Sequence, residues 1–267
     1  MRKICIINQK GGVGKTTTVV NIAVGLANAG KRVLAIDLDP QGNLGFCLGA
    51  TADPDIYDLL VEGTVYQQCL CRISDNLDII PSSQRLTKAQ ILLAGEQARE
   101  MILRKKLSTV QGYDYVFIDC PPSLGLLNQN ALLFADEAFV PVSTDPLGYN
   151  ALEVQLQAIK RINEAFGHHL RLTKIIPTMH DTRSKINKEM LAKMQNDYYE
   201  FVTAPIHLNT KLREAPGGGM PIYTYAKSSR GARDYASLVQ SILQDEAAGK
   251  TNDLLSIKPQ SFSKVSA

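Results

Sequence analysis

The residues with the clearest chemical pattern are a set of glycines, two lysines and two threonines near the start of the chain. Successive glycines let backbone N–H groups curl around phosphate oxygens, and the N-terminus of a following helix adds positive potential. Lysine supplies a balancing charge, and a threonine hydroxyl can coordinate Mg²⁺. The pattern predicts a phosphate-binding loop for a nucleotide. Its residues are Lys10, Gly11, Gly12, Val13, Gly14, Lys15, Thr16 and Thr17, with Lys15 as the charge and Thr16 as the Mg²⁺ ligand.

The loop departs from the ordinary phosphate-loop pattern at one position. That pattern, G-x-x-x-x-G-K-[ST], requires a glycine where this chain has Gln9, and a second lysine, Lys10, follows. Two lysines at one loop repel each other, so Lys10 is expected to meet negative charge that Lys15 does not neutralise. One solution is that Lys10 reaches across a dimer interface to the nucleotide of a second subunit, as an arginine finger does.

Residues 8–18 closely resemble the signature of the ParA/Soj partition ATPases, which belong to a wider group that includes MinD and the nitrogenase iron protein. Further segments match the family in the same order, so the resemblance covers residues 3 to about 245. These segments are residues 37–43, 117–122, 178–183, 212–216 and 229–235. The resemblance implies an α/β phosphate-loop ATPase that binds ATP and Mg²⁺ and forms a homodimer when ATP is bound.

Two carboxylates that follow apolar runs receive roles from this resemblance. Asp39 corresponds to the residue that orients or deprotonates the attacking water, near Mg²⁺ through a water molecule; its alternative interpretation is an Asx-turn. Asp119 corresponds to the carboxylate that faces Mg²⁺ through water. The catalytic set implied is Asp39 together with Lys15 and Lys10, the latter acting in trans. Asp37, a third carboxylate in these segments, receives no firm role at the Mg²⁺ ion, because it could equally brace the backbone of the phosphate loop.

The adenine base is expected near loops that follow later strands, because a sheet of this kind offers a pocket there. Our candidates are Thr178, Met179 and Asn209. The family usually has a Pro-Arg pair before the matching asparagine, whereas this chain has His207 and Leu208. This difference changes the chemistry predicted for the base pocket and removes one basic contact.

Positive charge is concentrated in the later part of the chain. Residues 1–159 carry a net charge of −3 and residues 160–267 a net charge of +6. Family members bind DNA nonspecifically through basic residues of this region once ATP has formed the dimer, and phosphate contacts of that kind weaken with salt. For each cation alone, a solvated surface position is the alternative. The matching positions are Arg183, Lys211, Lys227, Arg230 and Arg233.

The elements that position these residues follow from apolar runs alternating with helical patterns. The runs predict strands at residues 3–7, 33–36, 77–81, 115–118, 138–142, 172–176 and 201–206, with a possible extended segment around Cys69 and Cys71. The patterns between them predict helices near residues 16–29, 85–110, 125–135, 150–166, 184–197 and 229–247. Regular alternation of this kind predicts a mostly parallel, twisted sheet with helices on both faces and ligands at the carboxyl ends of the strands.

The 267 residues are interpreted as a single phosphate-loop ATPase domain over residues 1–248, with a flexible C-terminal tail over residues 249–267 that is polar and lacks periodicity. Five cysteines without CxxC spacing are expected to be reduced thiols, and the histidines have no metal-ligand spacing. The first apolar run is too short for a signal peptide or a membrane span, which predicts a cytoplasmic protein.

The combined prediction is a ParA-like ATPase that holds DNA as an ATP-bound dimer on the nucleoid and partitions or positions a chromosome, plasmid or other cargo. A ParB-like protein or cargo adaptor would stimulate its slow hydrolysis. One alternative is a MinD-like membrane switch, which needs an amphipathic C-terminal helix that the tail does not offer, so no stable membrane association is expected. The other is an iron–sulfur carrier, for which Cys120 has no obvious companion ligand.

Overall fold

The computed structural model describes residues 1–123, 125–250 and 252–256. Within these residues a seven-stranded sheet has the order β3-β4-β2-β5-β1-β6-β7. The pairs are parallel except for the edge pair of β3 with β4, which is antiparallel. The strands are β1 Arg2–Ile6, β2 Val33–Asp37, β3 Cys71–Ser74, β4 Leu77–Ile80, β5 Tyr115–Asp119, β6 Glu137–Ser143 and β7 Arg171–Thr178. The mostly parallel sheet is confirmed.

Helices cover both faces of this sheet, as the alternating pattern predicts. The helices are α1 Lys15–Asn28, α2 Asn43–Cys47, α3 Leu86–Leu92, α4 Ile102–Lys106, α5 Leu126–Phe134, α6 Pro146–Phe166, α7 Lys185–Tyr198, α8 Thr210–Glu214, α9 Ile222–Tyr225 and α10 Arg230–Ala247. Shorter helical turns lie at Asp58–Glu62, Tyr66–Cys69, Leu93–Gly95, Arg99–Met101, Tyr199–Phe201, Ala215–Gly218 and Leu254–Ser256.

Alternation along the central strands produces two cores. Successive side chains of a strand point to opposite faces, so Ile4 and Ile6 of β1 join one apolar cluster and Cys5 joins the other. Helices α1 and α10 pack over the first face, and α5 and α6 pack over the second. Helices cover both faces of β1, β2 and β5, so most residues of these strands are apolar.

Two predicted elements are wrong. The helix predicted over residues 85–110 is broken into α3, two single turns and α4, with Gly95 at the end of the first turn and Ala98 in a left-handed conformation. Residues 201–206 do not form the predicted strand. This segment makes one isolated β-bridge to β7, between Val202 and Ile175. Pro205 lies in this segment and has no N–H to donate to a continuous ladder.

Part of the predicted tail contacts the sheet. Residues 252–256 pack against its edge: the carboxylate of Asp253 accepts a hydrogen bond from the Leu172 N–H at 3.0 Å, and Leu254 and Leu255 contact the core. The division into a domain over residues 1–248 and a tail over residues 249–267 stays a prediction. Residues 251 and 257–267 of the predicted tail lie outside the described residues.

Candidate functional site

The carboxyl ends of three neighbouring strands bring the predicted site residues together. Strands β2, β5 and β1 lie side by side, and Asp37 at the end of β2 pairs in register with Asp119 at the end of β5. Ile6, the last residue of β1, pairs with Asp119 from the other side and leads into the phosphate loop. Residues separated by more than 100 positions in the sequence therefore meet at one edge of the sheet.

The loop over residues 10–17 has the backbone expected of an anion cradle. Gly12 and Gly14 have positive φ values of 73° and 87°, a region that residues with a side chain rarely adopt. Helix α1 begins directly after Gly14, and its first turn has no side-chain cap. The free N–H groups of that turn point out of the helix N-terminus, so the loop can bind phosphate oxygens.

Neighbouring strands brace this loop from below. The Asn8 side chain accepts a hydrogen bond from the Lys10 N–H at 2.9 Å and donates one to the Pro141 carbonyl at 2.8 Å. Thr178, at the end of β7, donates its hydroxyl to the Val13 carbonyl at 2.9 Å. The hydroxyl of Thr178 thus joins the end of β7 to the backbone of the phosphate loop, and its oxygen can still accept a hydrogen bond.

Lys15 is buried at the start of α1. Its Nζ atom lies 3.5 Å from the Lys10 carbonyl. Burial lowers the pKa of Lys15, and the nearby carboxylates of Asp119 and Asp39 oppose that effect. A buried ammonium group held among these groups is suited to a ligand that brings further negative charge.

Lys10 points away from its own loop. Its Nζ atom lies 3.0 Å from the hydroxyl of Ser143 and 3.0 and 3.1 Å from the two carboxylate oxygens of Asp145, between β6 and α6. Asp145 also accepts a hydrogen bond from the Gly148 N–H at 2.8 Å and so caps α6. This arrangement places the ammonium group of Lys10 beside an acid of the same chain instead of beside Lys15.

Asp119 is fully buried, and neither of its carboxylate oxygens has a hydrogen-bond partner among the described residues. Burial raises the pKa of Asp119 to about 7, and the neighbouring Thr16 hydroxyl and Lys15 ammonium oppose the rise. Uncompensated buried oxygens of this kind are costly unless a ligand satisfies them. The carboxylate of Asp119 and the hydroxyl of Thr16 therefore form an oxygen donor set that fits a hydrated Mg²⁺.

Asp37 and Asp39 shape the loop that follows β2. Asp37 accepts hydrogen bonds from the Asp39 N–H at 2.9 Å and from the Leu44 N–H at 3.1 Å, so it braces this loop and the start of α2. Burial raises the pKa of Asp37. One oxygen of Asp39 accepts from the Gln41 N–H at 3.0 Å, which is the predicted Asx-turn, and Ser82 donates to the Asp39 carbonyl. The turn holds the Asp39 carboxylate beside Lys15 and Asp119.

The two loops predicted to meet the base, here called the base loops, lie side by side beyond β7. They contain residues 179–181 and 206–209. The His180 N–H donates to the Ile206 carbonyl at 3.1 Å, and the Leu208 N–H donates to the His180 carbonyl at 3.0 Å. Met179 is partly exposed and has a left-handed backbone, with φ of 53°. Asn209 caps α8 by accepting a hydrogen bond from the Lys211 N–H at 2.8 Å.

The five predicted DNA contacts lie on exposed surface around these loops. Arg183 pairs with Asp181 at 2.9 Å and Lys211 with Glu214 at 2.7 Å, whereas Arg233 donates to the Ser228 carbonyl. Lys227 and Arg230 have no acidic partner among the described residues. Burial lowers the pKa of His180, and positive groups that include Arg230 and Lys188 lower it further. Arg230 and Lys188 are therefore close to His180 in the first base loop.

Comparison with known proteins assigns the chain to a family. A family model described as an AAA domain matches residues 1–172. The chain is 39% identical over 246 residues to the chromosome-partitioning ATPase Soj of Treponema pallidum, covering 91% of this chain and 97% of that protein. It is 38% identical over 245 residues to the sporulation initiation inhibitor protein Soj of Bacillus subtilis, covering 90% and 97%. The chain belongs to the Soj/ParA family of chromosome-partitioning ATPases.

Solved structures agree with this fold. Cobyrinic acid a,c-diamide synthase from Mycobacterium smegmatis, solved with a bound ATP analog and magnesium, has a TM-score of 0.80, 30% identity and coverage of 95% of this chain and 98% of its own. The ATP complex of a McdA variant from Cyanothece has a TM-score of 0.81 at 23% identity, covering 94% and 98%, and that likeness concerns the fold alone. The predicted phosphate-loop ATPase fold and Soj/ParA resemblance are confirmed.

Some site residues of this Soj/ParA chain have no clear signal in the sequence. Ser143 and Asp145 contact Lys10 across more than 130 residues. Asn8 belongs to the segment that resembles the family, but its contact with Pro141 follows only from the pairing of β1 with β6. The Asp-Pro pair at residues 145 and 146 is a recognisable helix start, and it could have drawn attention to Asp145 as a cap.

Three further findings concern the helices, the metal-ligating side chains and Cys120. None of the helices formed by the described residues is both long and apolar enough to cross a lipid bilayer. No group of three or more His, Cys, Asp or Glu side chains in that part of the chain is arranged to hold a metal ion. Cys120 is fully buried, and burial raises the pKa of its thiol.

Proposed function

We propose that this chain is a nucleotide-dependent switch. It binds ATP with Mg²⁺ in the loop over residues 10–17, closes into a homodimer around the nucleotide, and in that form holds double-stranded DNA without sequence preference. Hydrolysis of ATP, slow on its own and accelerated by a ParB-like or cargo adaptor protein, separates the dimer and releases the DNA. Residues 1–248 are the proposed switch domain, against which residues 252–256 pack, and its place of action is the nucleoid in the cytoplasm.

The position of Lys10 is the observation that carries this proposal. A lysine that serves its own nucleotide would point into its own loop, but Lys10 pairs with Ser143 and Asp145 at the rim of the site. This contact is about one-third exposed, so exchanging it for phosphate oxygens of a second copy costs little. Dimer closure would move the ammonium group of Lys10 onto the nucleotide of the other subunit, where it stabilises the charge that develops during phosphoryl transfer.

The remaining chemistry comes from residues at the strand ends. The backbone N–H groups of residues 11–16 and the ammonium group of Lys15 would hold the phosphates. Thr16 directly and Asp119 through water would hold Mg²⁺, which, when bound, neutralises charge on the phosphate oxygens. Asp39, held by its own turn, would orient or deprotonate the attacking water. Thr178, Met179 and Asn209 are proposed to line the base pocket, and Thr178 also supports the phosphate loop through its hydrogen bond to the Val13 carbonyl.

DNA binding is proposed for the cations around the base loops and the start of α10. Closing two copies would double the number of such cations on one assembly, and affinity for DNA rises steeply with the number of phosphates neutralised. Contacts to phosphates position a protein but carry no sequence information. The residues proposed are Arg183, Lys211, Lys227, Arg230 and Arg233, all exposed in the single chain.

DNA binding by the full-length chain in different nucleotide states tests this proposal. Fluorescence anisotropy of a labelled duplex of arbitrary sequence is measured without nucleotide, with ADP, and with ATP plus Mg²⁺, over a series of salt concentrations. Asp39→Ala is included because loss of the carboxylate that activates water should preserve the ATP state. Lys10→Ala is the matched control, because it keeps the chain's own nucleotide loop but removes the charge that acts in trans.

We expect DNA binding only with ATP, a fall in affinity as salt rises, retained binding in Asp39→Ala, and loss of both dimer and DNA binding in Lys10→Ala. Light scattering after size-exclusion chromatography reports the dimer in parallel. A dimer that forms with ATP but does not bind DNA would contradict the DNA part of the proposal. It would favour binding of the dimer to a membrane or to another protein. Equal binding in all nucleotide states would contradict the switch itself.

A further inference from the structure

A histidine in one base loop is tied to the helix that carries the exposed cations. The Asp234 carboxylate of α10 faces His207, and a single oxygen, Oδ2, lies 2.8 Å from the His207 backbone nitrogen and 2.9 Å from the ring atom Nδ1. Both side chains are only 13–14% exposed, so the contact is largely shielded from solvent. Two donors from one residue converge on one carboxylate oxygen, which fixes both the backbone and the ring of His207.

The same loop is held at two further points. His180, two residues after the end of β7, forms an isolated β-bridge with His207 of this loop. The two histidine rings meet edge to face with centroids 5.4 Å apart. On the α10 side, Gly231 leaves room for Leu212 of α8, since a Cβ atom at that position would lie 2.8 Å from the Leu212 side chain. Asn209 lies between His207 and Leu212 in the sequence. It is the residue proposed to meet the base, and its side chain also caps α8.

The contact combines a backbone donor with a ring donor of one residue. In this chain His207 supplies both donors, and Asp234 accepts them. Asp234 follows Arg233 directly and lies one helical turn after Arg230, so the contact joins the base loop to the cationic first turn of α10.

We infer that Asp234 and His207 are positioning residues for recognition of the nucleotide base, and that through them base binding and the placement of the α10 cations depend on each other. This inference rests on the proposed function of the site as an ATP site. Asp234 does not touch the nucleotide; it holds residues 206–209 in the conformation that presents Asn209. Because the phosphates bind elsewhere, at the loop over residues 10–17, the contribution of this contact is specific to the base.

The first test compares ATP with inorganic tripolyphosphate, which has the phosphates but no base. Affinities for both are measured by isothermal titration calorimetry with Mg²⁺ on the full chain, for wild type, Asp234→Ala and Asp234→Asn. We expect Asp234→Ala to weaken ATP binding by about three- to tenfold, the effect of losing hydrogen bonds to a charged acceptor. Tripolyphosphate affinity should stay unchanged. Asp234→Asn keeps an acceptor oxygen and should restore ATP affinity to within about twofold of wild type.

Two outcomes overturn the inference. If Asp234→Ala binds ATP as wild type does, the contact does not position the base loop. If it weakens ATP and tripolyphosphate equally, the residue has only a general structural role. Thermal unfolding of each variant is recorded as well. Should Asp234→Ala not fold, His207→Ala decides the question, because it removes the ring contact and keeps the backbone one; its expected loss is about two- to threefold for ATP alone.

The second test asks whether DNA and the base are coupled through this contact. Binding coupling is reciprocal, so a DNA duplex that binds the ATP form must raise ATP affinity. We expect that increase in wild type and in Lys105→Ala, a control at an exposed position of α4, and a several-fold smaller increase in Asp234→Ala. An unchanged increase in Asp234→Ala contradicts the coupling. If wild type shows no DNA effect, the DNA part of the proposed function fails, while the comparison with tripolyphosphate still decides the role of Asp234 in base recognition.

Discussion

At the scale of single residues, the site combines three buried carboxylates with one buried lysine and leaves one carboxylate unsatisfied. Asp37 receives two backbone hydrogen bonds and Asp39 receives one, but Asp119 receives none from the described residues. Asp119 is therefore the member of the group whose ionised form most needs a cation. Its burial therefore makes Mg²⁺ binding depend on pH.

We expect Mg²⁺ binding to weaken at low pH because Asp119 must lose its proton to hold the ion. With the pKa of Asp119 raised to about 7, the carboxylate is mostly ionised at pH 8 and mostly protonated at pH 6. This difference corresponds to a loss of about tenfold in Mg²⁺ affinity. Titration of Mg²⁺ into the nucleotide complex, monitored by calorimetry at a series of pH values, measures it.

Asp119→Asn is the control for this pH dependence, because nucleotide phosphates titrate in the same range. The wild-type profile minus the Asp119→Asn profile isolates the contribution of the carboxylate. The metal-free protein should show the opposite trend in stability. A carboxyl group with a raised pKa in the folded state favours folding at low pH, and that contribution is lost as pH rises towards 7 and above. Profiles that coincide would contradict the assignment of Asp119.

The contact between Lys10 and Asp145 is expected to oppose dimer formation in the single chain. Asp145→Asn removes the charge while asparagine still caps α6, so the helix start is preserved. A partly exposed ion pair contributes about 0.2–1 kcal/mol. The ATP concentration needed for half-maximal dimer formation should therefore fall by up to about fivefold, as measured by light scattering. Asp145→Ala should gain less because it also loses the cap, and a rise in the required ATP in Asp145→Asn would contradict this interpretation.

At the scale of elements, the crossing of α1 and α10 connects the nucleotide loop to the cationic helix. Gly25 of α1 lies at this crossing, where an added Cβ atom would come within 2.6 Å of the Val239 side chain and 2.9 Å of the Tyr223 hydroxyl. Glycine costs helix stability, so its presence inside α1 is explained by the closeness of the partner elements. The position of α10 relative to the nucleotide loop thus depends on a residue without a side chain.

Gly25→Ala is expected to lower the free energy of unfolding by up to about 2 kcal/mol. Alanine gains about 1 kcal/mol of helix propensity, but forcing the side chain into the crossing costs about 1–3 kcal/mol. Urea unfolding followed by circular dichroism measures the change. Gly95→Ala is the control, since nothing lies within 4 Å of its added Cβ atom, and it should change stability by less than about 0.5 kcal/mol. A more stable Gly25→Ala variant would show that the helices can move apart freely.

Over the whole molecule, the excess of positive charge belongs to the later part of the chain. The net charge of +6 over residues 160–267 includes the exposed cations beyond the carboxyl end of β7. Lys31 lies beyond the other end of α1, where it pairs with Glu246 at 2.9 Å. Cations gathered on one side of a molecule with a small total charge favour an anionic partner at that side.

Single substitutions in the first turn of α10 should reduce the salt dependence of DNA binding. Arg230→Ala and Arg233→Ala would each remove one phosphate contact per subunit, which lowers the slope of log affinity against log salt by about 1 per contact. Affinity for duplexes of different sequence should fall equally. The measurement is anisotropy of labelled DNA with ATP and Mg²⁺ at several salt concentrations. Lys31→Ala should leave the slope unchanged, and an equal effect of Lys31→Ala would mean that total charge rather than a surface binds DNA.

Local patterns in the sequence predict the features that depend on neighbouring residues. The glycines and lysines of residues 10–17, the apolar runs of the buried strands and the start of α10 are local patterns, because each reflects backbone conformation or burial of one segment. From these patterns the sheet, the phosphate loop and the family could be predicted. Local patterns failed where several turns follow each other, as over residues 85–110, and where proline interrupts an edge segment, as over residues 201–206.

The contacts between distant side chains follow from the packing of the elements and not from any local pattern. Lys10 and Asp145, or His207 and Asp234, are charged or polar residues that carry no mark of their partners in the sequence. The first contact arises because the parallel strands β1 and β6 bring their carboxyl ends together, regardless of the 135 residues that separate Lys10 from Asp145. The second arises because α10 lies beside the loop that contains His207. Asp37 could equally have braced the phosphate loop, and the register of β2 against β5 turned it towards Asp39 instead.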